Sequence, residues 1–322
     1  MDIDASRSVV AALLALVCAA APAQQYPAKP IRLIVPLAPG GPSDILARTV
    51  AQKLTEGMKQ TVVVDNRTGA GGTVGAAIAA KSPPDGYTII LVSTSYAINA
   101  TLYPKLPYDT LTDLAAVTML AAAPYLLTVH PSLPAKSFKQ LVALAKARPG
   151  DLNYASGGSG TGPQLSMEVL KQRAGLDIVH VPYKGAGPAL TDLVAGQVHM
   201  QMVNMIAGLP LVKAGRIRAV GVSKAKRSEA APDIPTIAES GVPGFDEGGQ
   251  HGIMIPAGTP RDIIARLHRE IVKVLQSPDI KGRLAGEGAA VIGNTPEEYA
   301  AIVRADVDKW AKVIKNLGLR AN

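Results

Sequence analysis

Glycine-rich turns that each precede a predicted helix are the stretches of this chain best suited to hold an anion. Residues 153–170, NYASGGSGTGPQLSMEVL, predict a short strand, a glycine turn and a helix that begins beside Pro163. Such a turn directs backbone N–H groups and the positive end of a helix dipole at one point, which suits a carboxylate or a phosphate. Ser156 and Thr161 add hydroxyl donors. For one glycine turn alone, a plain strand-to-helix connection is an equally good interpretation.

The same arrangement recurs along the chain. Residues 35–45, 64–76 and 181–190 each combine an apolar strand, a glycine turn and a helix start. Open α/β sheets bind ligands outside the carboxyl ends of their strands. We therefore expect several helix N-termini to face one shared crevice.

The sequence lacks the residue patterns that metal binding, nucleotide binding and nucleophilic catalysis require. Around Ser159 the G-x-S-x-G pattern of a nucleophile elbow fails, because Gly157 fits its first position but Thr161 stands at its last. Residues 69–75 imitate a dinucleotide-binding turn, but the next strand ends without the expected acidic residue. The histidines show no metal-ligand spacing; they are His130, His180, His199, His251 and His268. The sequence therefore predicts no metal ion, no cofactor and no catalytic residue.

The composition indicates a globular protein that binds an anionic solute rather than a nucleic acid. The 322 residues are 48% hydrophobic and 18% charged, which fits an α/β protein of about two domains. Aromatic residues make up only 4%, which argues against a stacking surface for single strands. The net charge of +8 is scattered, so a solvated basic face is expected, and its field would attract anions.

The N-terminus has the pattern of a secretory signal. Residues 9–21 form an apolar run too short for a confident membrane span, and Ala21-Pro22-Ala23 follows the A-x-A cleavage pattern. We expect residues 1–23 to be removed on export to the periplasm. Cys18, the single cysteine, lies within that segment, so the mature chain is expected to have no disulfide.

Alternating strands and helices predict two α/β units that would position the glycine turns. Residues 115–129 are apolar but contain Pro124, which argues against one long helix and favours a strand that crosses between two lobes. Residues 252–256 are a candidate return crossing, and three predicted helices follow them. We expect a first lobe from residues 24–122 and 248–322, and a second lobe from residues 123–247.

Several motifs together resemble one known family, the Bug-type periplasmic solute receptors of tripartite tricarboxylate transporters. They are YPAKPIRLIVPLAPGGPSD, VVDNRTGAGGTVGAAIAAKSPPDGYT, LNYASGGSGTGPQLSME, VPYKGAGPALTDLVAGQV, PDIPTIAESGVPGF and PAGTP. The resemblance implies an α/β periplasmic-binding-protein fold of type II-like, Venus-flytrap form, in which two crossing segments join the lobes. It also implies a non-catalytic receptor, expected to be a monomer, that delivers its ligand to inner-membrane transporter subunits. The backbone amides of residues 156–161 would hold a carboxylate, and residues 38–41 would contact it from the first lobe.

The chain departs from the family pattern near the expected cleft. Leu37 replaces a common Phe, Gln164 a common His, and Asn204 a common Asp, while Gln250 and His251 replace a frequent Trp-Tyr pair. These changes predict a larger and more polar cleft that takes a longer or planar dicarboxylate, such as terephthalate. A histidine beside an anion can gain a proton and make a charge-assisted bond. Repacking of the hinge is the alternative interpretation, and a citrate-like acid remains open.

The candidate ligand-binding residues combine the turns with these departures. They are Leu37, Ala38, Pro39, Gly40, Gly41, Ser93, Ser95, Ser156, Gly157, Gly158, Thr161, Gln164, Ala186, Asn204, Gln250 and His251. The alternative function is a secreted α/β enzyme that acts on a small carboxylate or ester. A transcriptional effector domain shares the fold, but the export signal counts against it.

Overall fold

The structure, a computed structural model, describes residues 26–320. The predicted signal segment, with its cleavage site and Cys18, lies outside the described residues. Within the part described, no helix is both long and apolar enough to span a bilayer.

Within residues 26–320, ten strands form the sheet framework. They are β1 (Ile31–Val35), β2 (Val62–Asn66), β3 (Thr88–Ser93), β4 (Leu114–Val129), β5 (Asn153–Ser156), β6 (Val179–Pro182), β7 (Met200–Asn204), β8 (Arg218–Val222), β9 (Gly248–Pro256) and β10 (Ala290–Val291). The main path runs β2-β1-β3-β9-β4-β7-β5-β6, and β8 and β10 pair with β4. Strands β1, β2 and β3 are parallel to one another, as are β5, β6 and β7.

Helices connect the strands and cover the sheet. They are α1 (Pro42–Met58), α2 (Thr73–Ala80), α3 (Ser95–Leu102), α4 (Phe138–Ala147), α5 (Gly162–Ala174), α6 (Ala186–Val194), α7 (Met205–Lys213), α8 (Arg261–Gln276), α9 (Pro278–Gly286) and α10 (Pro296–Leu317). A short 3₁₀ turn at Ala70–Gly72 precedes α2. The three predicted C-terminal helices correspond to α8, α9 and α10.

Two crossing strands join the lobes, as the sequence predicted. Strand β4 pairs with β9 through Pro124, and from Tyr125 onward it pairs with β7 and β8. Pro124, which has no N–H to donate, therefore lies where β4 exchanges one set of partners for another. The return strand β9 begins at Gly248, four residues before the predicted start at Gly252.

Apolar side chains of the strands pack beneath the helices on both sides of these crossings. Around β1 and β3, Ile34 and Ile90 pack with Tyr299 of α10. Around β4 and β5, Leu127 and Tyr154 pack in a separate cluster. A further cluster joins Leu33 and Val35 of β1 to Ala155 of β5 and Val203 of β7, so buried apolar packing continues from one lobe to the other.

Candidate functional site

A cavity of about 570 Å³, including its opening to solvent, lies in the cleft between the lobes. Helices α1, α3, α5, α6 and α7 all begin at its wall, through Gly41–Ser43, Thr94–Ser95, Thr161–Pro163, Ala186 and Asn204. Their N-termini converge because each helix follows the carboxyl end of a strand or the turn beyond it. The site therefore collects the positive ends of several helix dipoles from both lobes.

Most of these helix starts lack a side-chain cap. The N-cap residues Gly41, Thr94, Thr161 and Gly185 make no side-chain hydrogen bond to the first turns of α1, α3, α5 and α6. Asn204 is the exception, since its Oδ1 accepts from Ile206 N at 3.1 Å. First-turn N–H groups that no side chain satisfies are donors for a bound anion.

No lysine, arginine, aspartate or glutamate is among the described residues that line the cavity. An anion held here would be compensated by neutral donors and helix ends rather than by a counter-ion. Each helix terminus contributes about 0.3–1 kcal/mol when exposed and up to ~2 kcal/mol when partly buried. Several termini acting together can therefore hold a carboxylate.

Besides Gln250 Oε1, whose amide nitrogen bonds to Asp306, three side-chain atoms of the cavity lining have no hydrogen-bond partner among residues 26–320. They are Gln201 Oε1, Asn204 Nδ2 and His251 Nδ1. Their residues are only 1%, 2% and 3% exposed, respectively. Buried polar atoms normally have partners, so an unpartnered set on one cavity wall indicates a place for a polar ligand.

Burial determines the charge of His251. Desolvation lowers the pKa of this imidazole to about 4, so the ring is neutral at pH 7 in the described structure. Gain of a proton beside a bound ligand carboxylate stays a prediction, because the cavity lining itself offers the ring no carboxylate. A neutral ring still donates one N–H and accepts at its other nitrogen.

The glycine turn after β5 is braced by its own side chains. Ser156 Oγ lies 2.6 Å from His180 Nε2 and accepts from Gly158 N at 3.1 Å. Gln164 Oε1 accepts from Gly160 N at 3.3 Å, and Thr161 Oγ1 donates to Gly158 O at 2.8 Å. Ser156 and Gln164 thus brace the turn and are not among the residues that line the cavity, so their direct contact with a ligand stays a prediction.

A second row of residues supports Ser156 from behind. His180 stacks on Tyr154 with ring centroids 4.8 Å apart. Tyr154 Oη donates to Glu168 Oε1, and Lys171 Nζ lies 3.1 Å from Glu168 Oε2. Burial is the main cause that lowers the pKa of His180, which favours a neutral ring that accepts from Ser156.

The side chains of Gln250 and His251 lie on opposite faces of strand β9. Gln250 Nε2 donates to Asp306 Oδ2 on α10, and a Cβ placed at Gly252 would collide with Tyr299 on that same helix. Because strand side chains alternate, His251 faces the cavity and the Gln250 side chain faces α10. The backbone of Gln250 contacts the cavity wall, since its N–H donates to Thr94 Oγ1 at 3.1 Å.

The structure brings most of the predicted residues to the cavity. The lining includes Leu37, Ala38, Gly41, Ser93, Ser95, Gly157, Thr161, Ala186, Asn204, Gln250 and His251. Pro39, Gly40, Ser156, Gly158 and Gln164 lie outside the lining. Gly40 N donates to Asp44 Oδ2 at 3.0 Å, and Pro39 lies at the contact between the lobes.

Sequence reasoning missed other lining residues, namely Pro42, Ser43, Thr94, Tyr125, Gly162, Pro163, Gln201, Val203 and Gly249. Several adjoin predicted turns and could have been included by extending each turn into its helix. Tyr125 and Gln201 stand in buried strands, and nothing in their local sequence distinguishes them from core positions.

The two lobes touch at the rim of the cavity. Ala38 N donates to Lys184 O across the cleft at 3.2 Å. A Cβ placed at Gly185 would lie 2.7 Å from Ala38 N, and one placed at Gly187 would collide with Pro39 O. Glycine at these positions therefore allows the turn before α1 to approach the start of α6.

Comparison with known proteins agrees with this geometry. Residues 46–319 match the model of the TctC family, described as the tripartite tricarboxylate transporter family receptor. Protein BugT of Bordetella pertussis (strain Tohama I) is 38% identical over 99% of this chain and 99% of its own length.

Two solved structures resemble the chain closely. Rpa4515 of R. palustris, solved with adipate, is 38% identical, with a TM-score of 0.89 over 92% of this chain and 99% of that one. MatC of Rhodopseudomonas palustris, solved with bound malate, is 31% identical, with a TM-score of 0.86 over 90% of this chain and 100% of that one. With its two lobes, uncapped cleft helices and family match, the chain belongs to the TctC family of tripartite tricarboxylate transporter receptors.

Proposed function

We propose that this receptor captures a small dicarboxylate in the cavity between its lobes and delivers it to the membrane subunits of a tripartite tricarboxylate transporter. It acts in the periplasm, as a monomer and without catalysis, after removal of residues 1–23. The observation that carries the proposal is the convergence of uncapped helix N-termini from both lobes on a cavity whose lining, within residues 26–320, includes no Lys, Arg, Asp or Glu.

One carboxylate would accept hydrogen bonds from the first-turn N–H groups of α5 and α6. These groups belong to the second lobe, and those of α1 lie opposite them in the first lobe. A ligand carboxylate that reaches both sets links the lobes, which is how two-lobed receptors gain closure energy from a ligand.

The second carboxylate would meet Asn204 and His251 on the crossing-strand side. Asn204 Nδ2 is an unpartnered donor, and neutral His251 can supply one N–H. The replacement of aromatic residues by Leu37 and His251 supports an elongated or planar ligand, of which terephthalate is the aromatic representative. Adipate and malate in the solved relatives support the broader dicarboxylate class.

The enzyme alternative would need a nucleophile that the ligand can reach. Ser156 and His180, 2.6 Å apart, resemble a nucleophile and its base. Ser156 is 1% exposed and outside the cavity lining, and its hydroxyl is engaged by Gly158 N. This arrangement supports a structural role in the turn and a receptor without turnover.

Isothermal titration calorimetry with succinate, adipate, citrate, terephthalate and benzoate tests the proposal. We expect saturable one-to-one binding of at least one dicarboxylate, with the ligand recovered unchanged. Absence of binding by every acid at millimolar concentration, or conversion of a ligand, would contradict it.

Comparison of terephthalate with benzoate, which lacks the second carboxylate, tests whether His251 binds that carboxylate. Wild type should prefer terephthalate, and His251→Ala should reduce that preference by about 0.5–1.5 kcal/mol, the value of one neutral hydrogen bond. Equal binding of both acids to both proteins would remove His251 from the site.

A further inference from the structure

A second groove, larger than the ligand cavity, lies on the first lobe and shares no lining residue with that cavity. Its volume is about 1630 Å³, including its opening to solvent, and residues of α8, α10 and the start of β4 line it. Met254 of the groove is three residues beyond His251 of the cavity, which is about 10 Å of strand along β9. All of the lining lies within residues 110–116, 254–269 and 295–304, so the first lobe alone forms this groove.

Three exposed arginines line the groove and form no ion pair within residues 26–320. Arg261 and Arg269 belong to α8, and Arg304 belongs to α10. Arg266 lies on α8 between the first two but outside the lining, and it pairs with Glu270 at 3.4 Å. The side of α8 that lines the groove therefore carries unpaired positive charge. We call this surface the basic groove.

Nearby acidic residues form no ion pair with these arginines. Asp109 Oδ1 accepts from Leu111 N at 2.8 Å, and Asp113 Oδ2 accepts from Asp109 N at 2.8 Å, so the carboxylates of this loop are engaged by its own backbone. Glu297 is the one acidic residue in the part of the lining that the structure describes. Three guanidinium groups and one carboxylate leave the groove positively charged.

Apolar side chains and a braced frame accompany this charge. Leu111, which is 41% exposed, and Ile264 both line the groove. His268 Nε2 donates to Asn294 O at 3.0 Å, and Asn294 Oδ1 accepts from Met119 N of β4 at 2.9 Å, which ties α8 and the start of α10 to the sheet. Arginine beside apolar surface is typical of protein–protein interfaces, and a braced surface loses little conformational entropy on binding.

We propose that the basic groove is the docking site for an acidic segment of the transporter's membrane subunits that also presents an apolar side chain. The inference rests on the proposed receptor function and assigns the surface through which the receptor meets its transporter. Carboxylates of the segment pair with the groove arginines, and its apolar side chain covers Leu111, so charge and apolar surface are both complementary. A concave groove fits a protruding protein segment better than it fits the flat surface of an anionic bilayer.

The position of the groove predicts how docking depends on ligand. Because one lobe forms the whole groove, closure of the lobes around a ligand leaves its shape and charge unchanged. Receptor without ligand should therefore dock as tightly as loaded receptor.

Binding to the reconstituted transporter tests the inference. The membrane subunits are placed in phosphatidylcholine proteoliposomes, and fluorescently labelled mature receptor is titrated with and without the dicarboxylate that binds most tightly by calorimetry. Wild type should bind saturably and equally in both conditions, and binding should weaken as salt rises, because salt screens exposed charges. Uptake of the radiolabelled dicarboxylate is measured on the same proteoliposomes.

Charge reversal assigns docking to the basic groove. A double variant, Arg269→Glu with Arg304→Glu, places a negative charge on each helical wall and should weaken docking and slow uptake at least about tenfold, because it repels the partner's carboxylates. Arg148→Glu reverses an exposed arginine outside the groove and is the matched control that should change neither quantity. Both proteins should keep wild-type affinity for the dicarboxylate, since neither change touches the ligand cavity.

The outcomes separate this inference from the function on which it rests. A double variant that docks and transports like wild type, an equal loss in Arg148→Glu, or docking that requires ligand would overturn the role of the groove and leave the receptor function standing. Equal binding of wild type to phosphatidylglycerol vesicles without the subunits would make the bilayer the partner and would also overturn it. Absence of both docking and uptake with wild type would overturn the delivery function as well. Thermal melting of each variant confirms that the compared proteins are folded.

Discussion

Helices α5 and α10 begin with similar sequences and opposite arrangements. At α10, Thr295 Oγ1 accepts from Glu298 N at 3.2 Å and Glu298 Oε2 accepts from Thr295 N at 2.9 Å, which forms a complete capping box. At α5, Thr161 is also followed by a proline within the first turn, but its hydroxyl donates to Gly158 O instead. The helix far from the cleft is closed by its own side chains, and the helix at the cleft is left open.

The difference shows how the same residue type serves stability in one place and binding in another. A capping threonine satisfies a first-turn N–H and stabilises its helix by about 0.5–2 kcal/mol. The first turn of α5 gives up that stabilisation, and its N–H groups remain available to a carboxylate. The glycine turn that would otherwise be loose is secured by Ser156, Thr161 and Gln164.

The largest expected effect comes from blocking the approach of the first lobe to the open helix starts. Gly187 lies in α6 with ordinary helical backbone, and a methyl group there would collide with Pro39 O of the first lobe. We expect Gly187→Ala to weaken ligand binding at least about 100-fold, or ~2.7 kcal/mol, because only the closed arrangement is obstructed. Calorimetry with the tightest ligand measures this loss.

The matched control for this change is Gly282→Ala in α9. A Cβ at Gly282 meets nothing within 4 Å, so the substitution should leave ligand affinity unchanged. Both variants should unfold at temperatures equal to or slightly above that of wild type, because alanine favours a helix over glycine. Wild-type affinity in Gly187→Ala would show that binding does not require this approach of the lobes.

A second prediction concerns the buried wall beside the open helix starts, where His251 is held neutral. Its folded pKa of about 4 lies below the ordinary value of 6.5, so the unfolded chain binds more protons between these values. Stability should therefore fall as pH decreases through this window, by about 2 kcal/mol between pH 7 and pH 5. Urea unfolding of wild type and of His251→Gln at pH 7 and at pH 5 measures how much unfolding free energy each protein loses over this pH range.

In His251→Gln, the loss of unfolding free energy between pH 7 and pH 5 that His251 causes should be absent. This holds whatever the stability of the variant at pH 7. An identical pH dependence in the two proteins would mean that His251 titrates normally and is reached by water. In that case its Nδ1 would no longer count as an unpartnered group on the cavity wall.

The smallest predicted effects are those of Thr295→Ala and Thr161→Ala, which should differ in whether they reduce stability or ligand affinity. Thr295→Ala should cost about 1 kcal/mol of unfolding free energy and leave ligand affinity unchanged. Thr161→Ala should weaken binding by about 0.5–1.5 kcal/mol through the lost bond to Gly158 O, with a smaller loss of stability than Thr295→Ala. Urea unfolding and calorimetry on the same preparations measure both quantities. If both variants lost stability alike and bound ligand alike, the contrast between the helix starts would have no functional meaning.

The sequence predicted the features that depend on local pattern. Pro124 within an apolar run indicated a crossing strand, because proline disfavours a helix interior and β4 changes partners there. The glycine turns indicated helix starts at a cleft, because few other residues allow such close backbone approach. These inferences needed no knowledge of which strands become neighbours.

Features that depend on tertiary register were beyond the sequence. Gln250 and His251 were both expected to face the ligand, yet the pleat of β9 turns Gln250 toward Asp306. Ser156 was expected to donate to the ligand, but His180 from the neighbouring strand β6 occupies its hydroxyl. Gln201 stands among methionines and valine in a buried strand, and only the folded structure shows that its side-chain oxygen has no partner among residues 26–320.

The most direct test of the account is a crystal structure of the receptor with the dicarboxylate that binds most tightly in the calorimetric panel. We predict that one ligand carboxylate lies within about 3 Å of first-turn N–H groups of α5 and α6, the usual N–H to oxygen distance. No lysine or arginine should contact it, and the turn before α1 should close over it. A carboxylate bound by a basic side chain, or outside the cavity that these helix starts surround, would contradict the central claim.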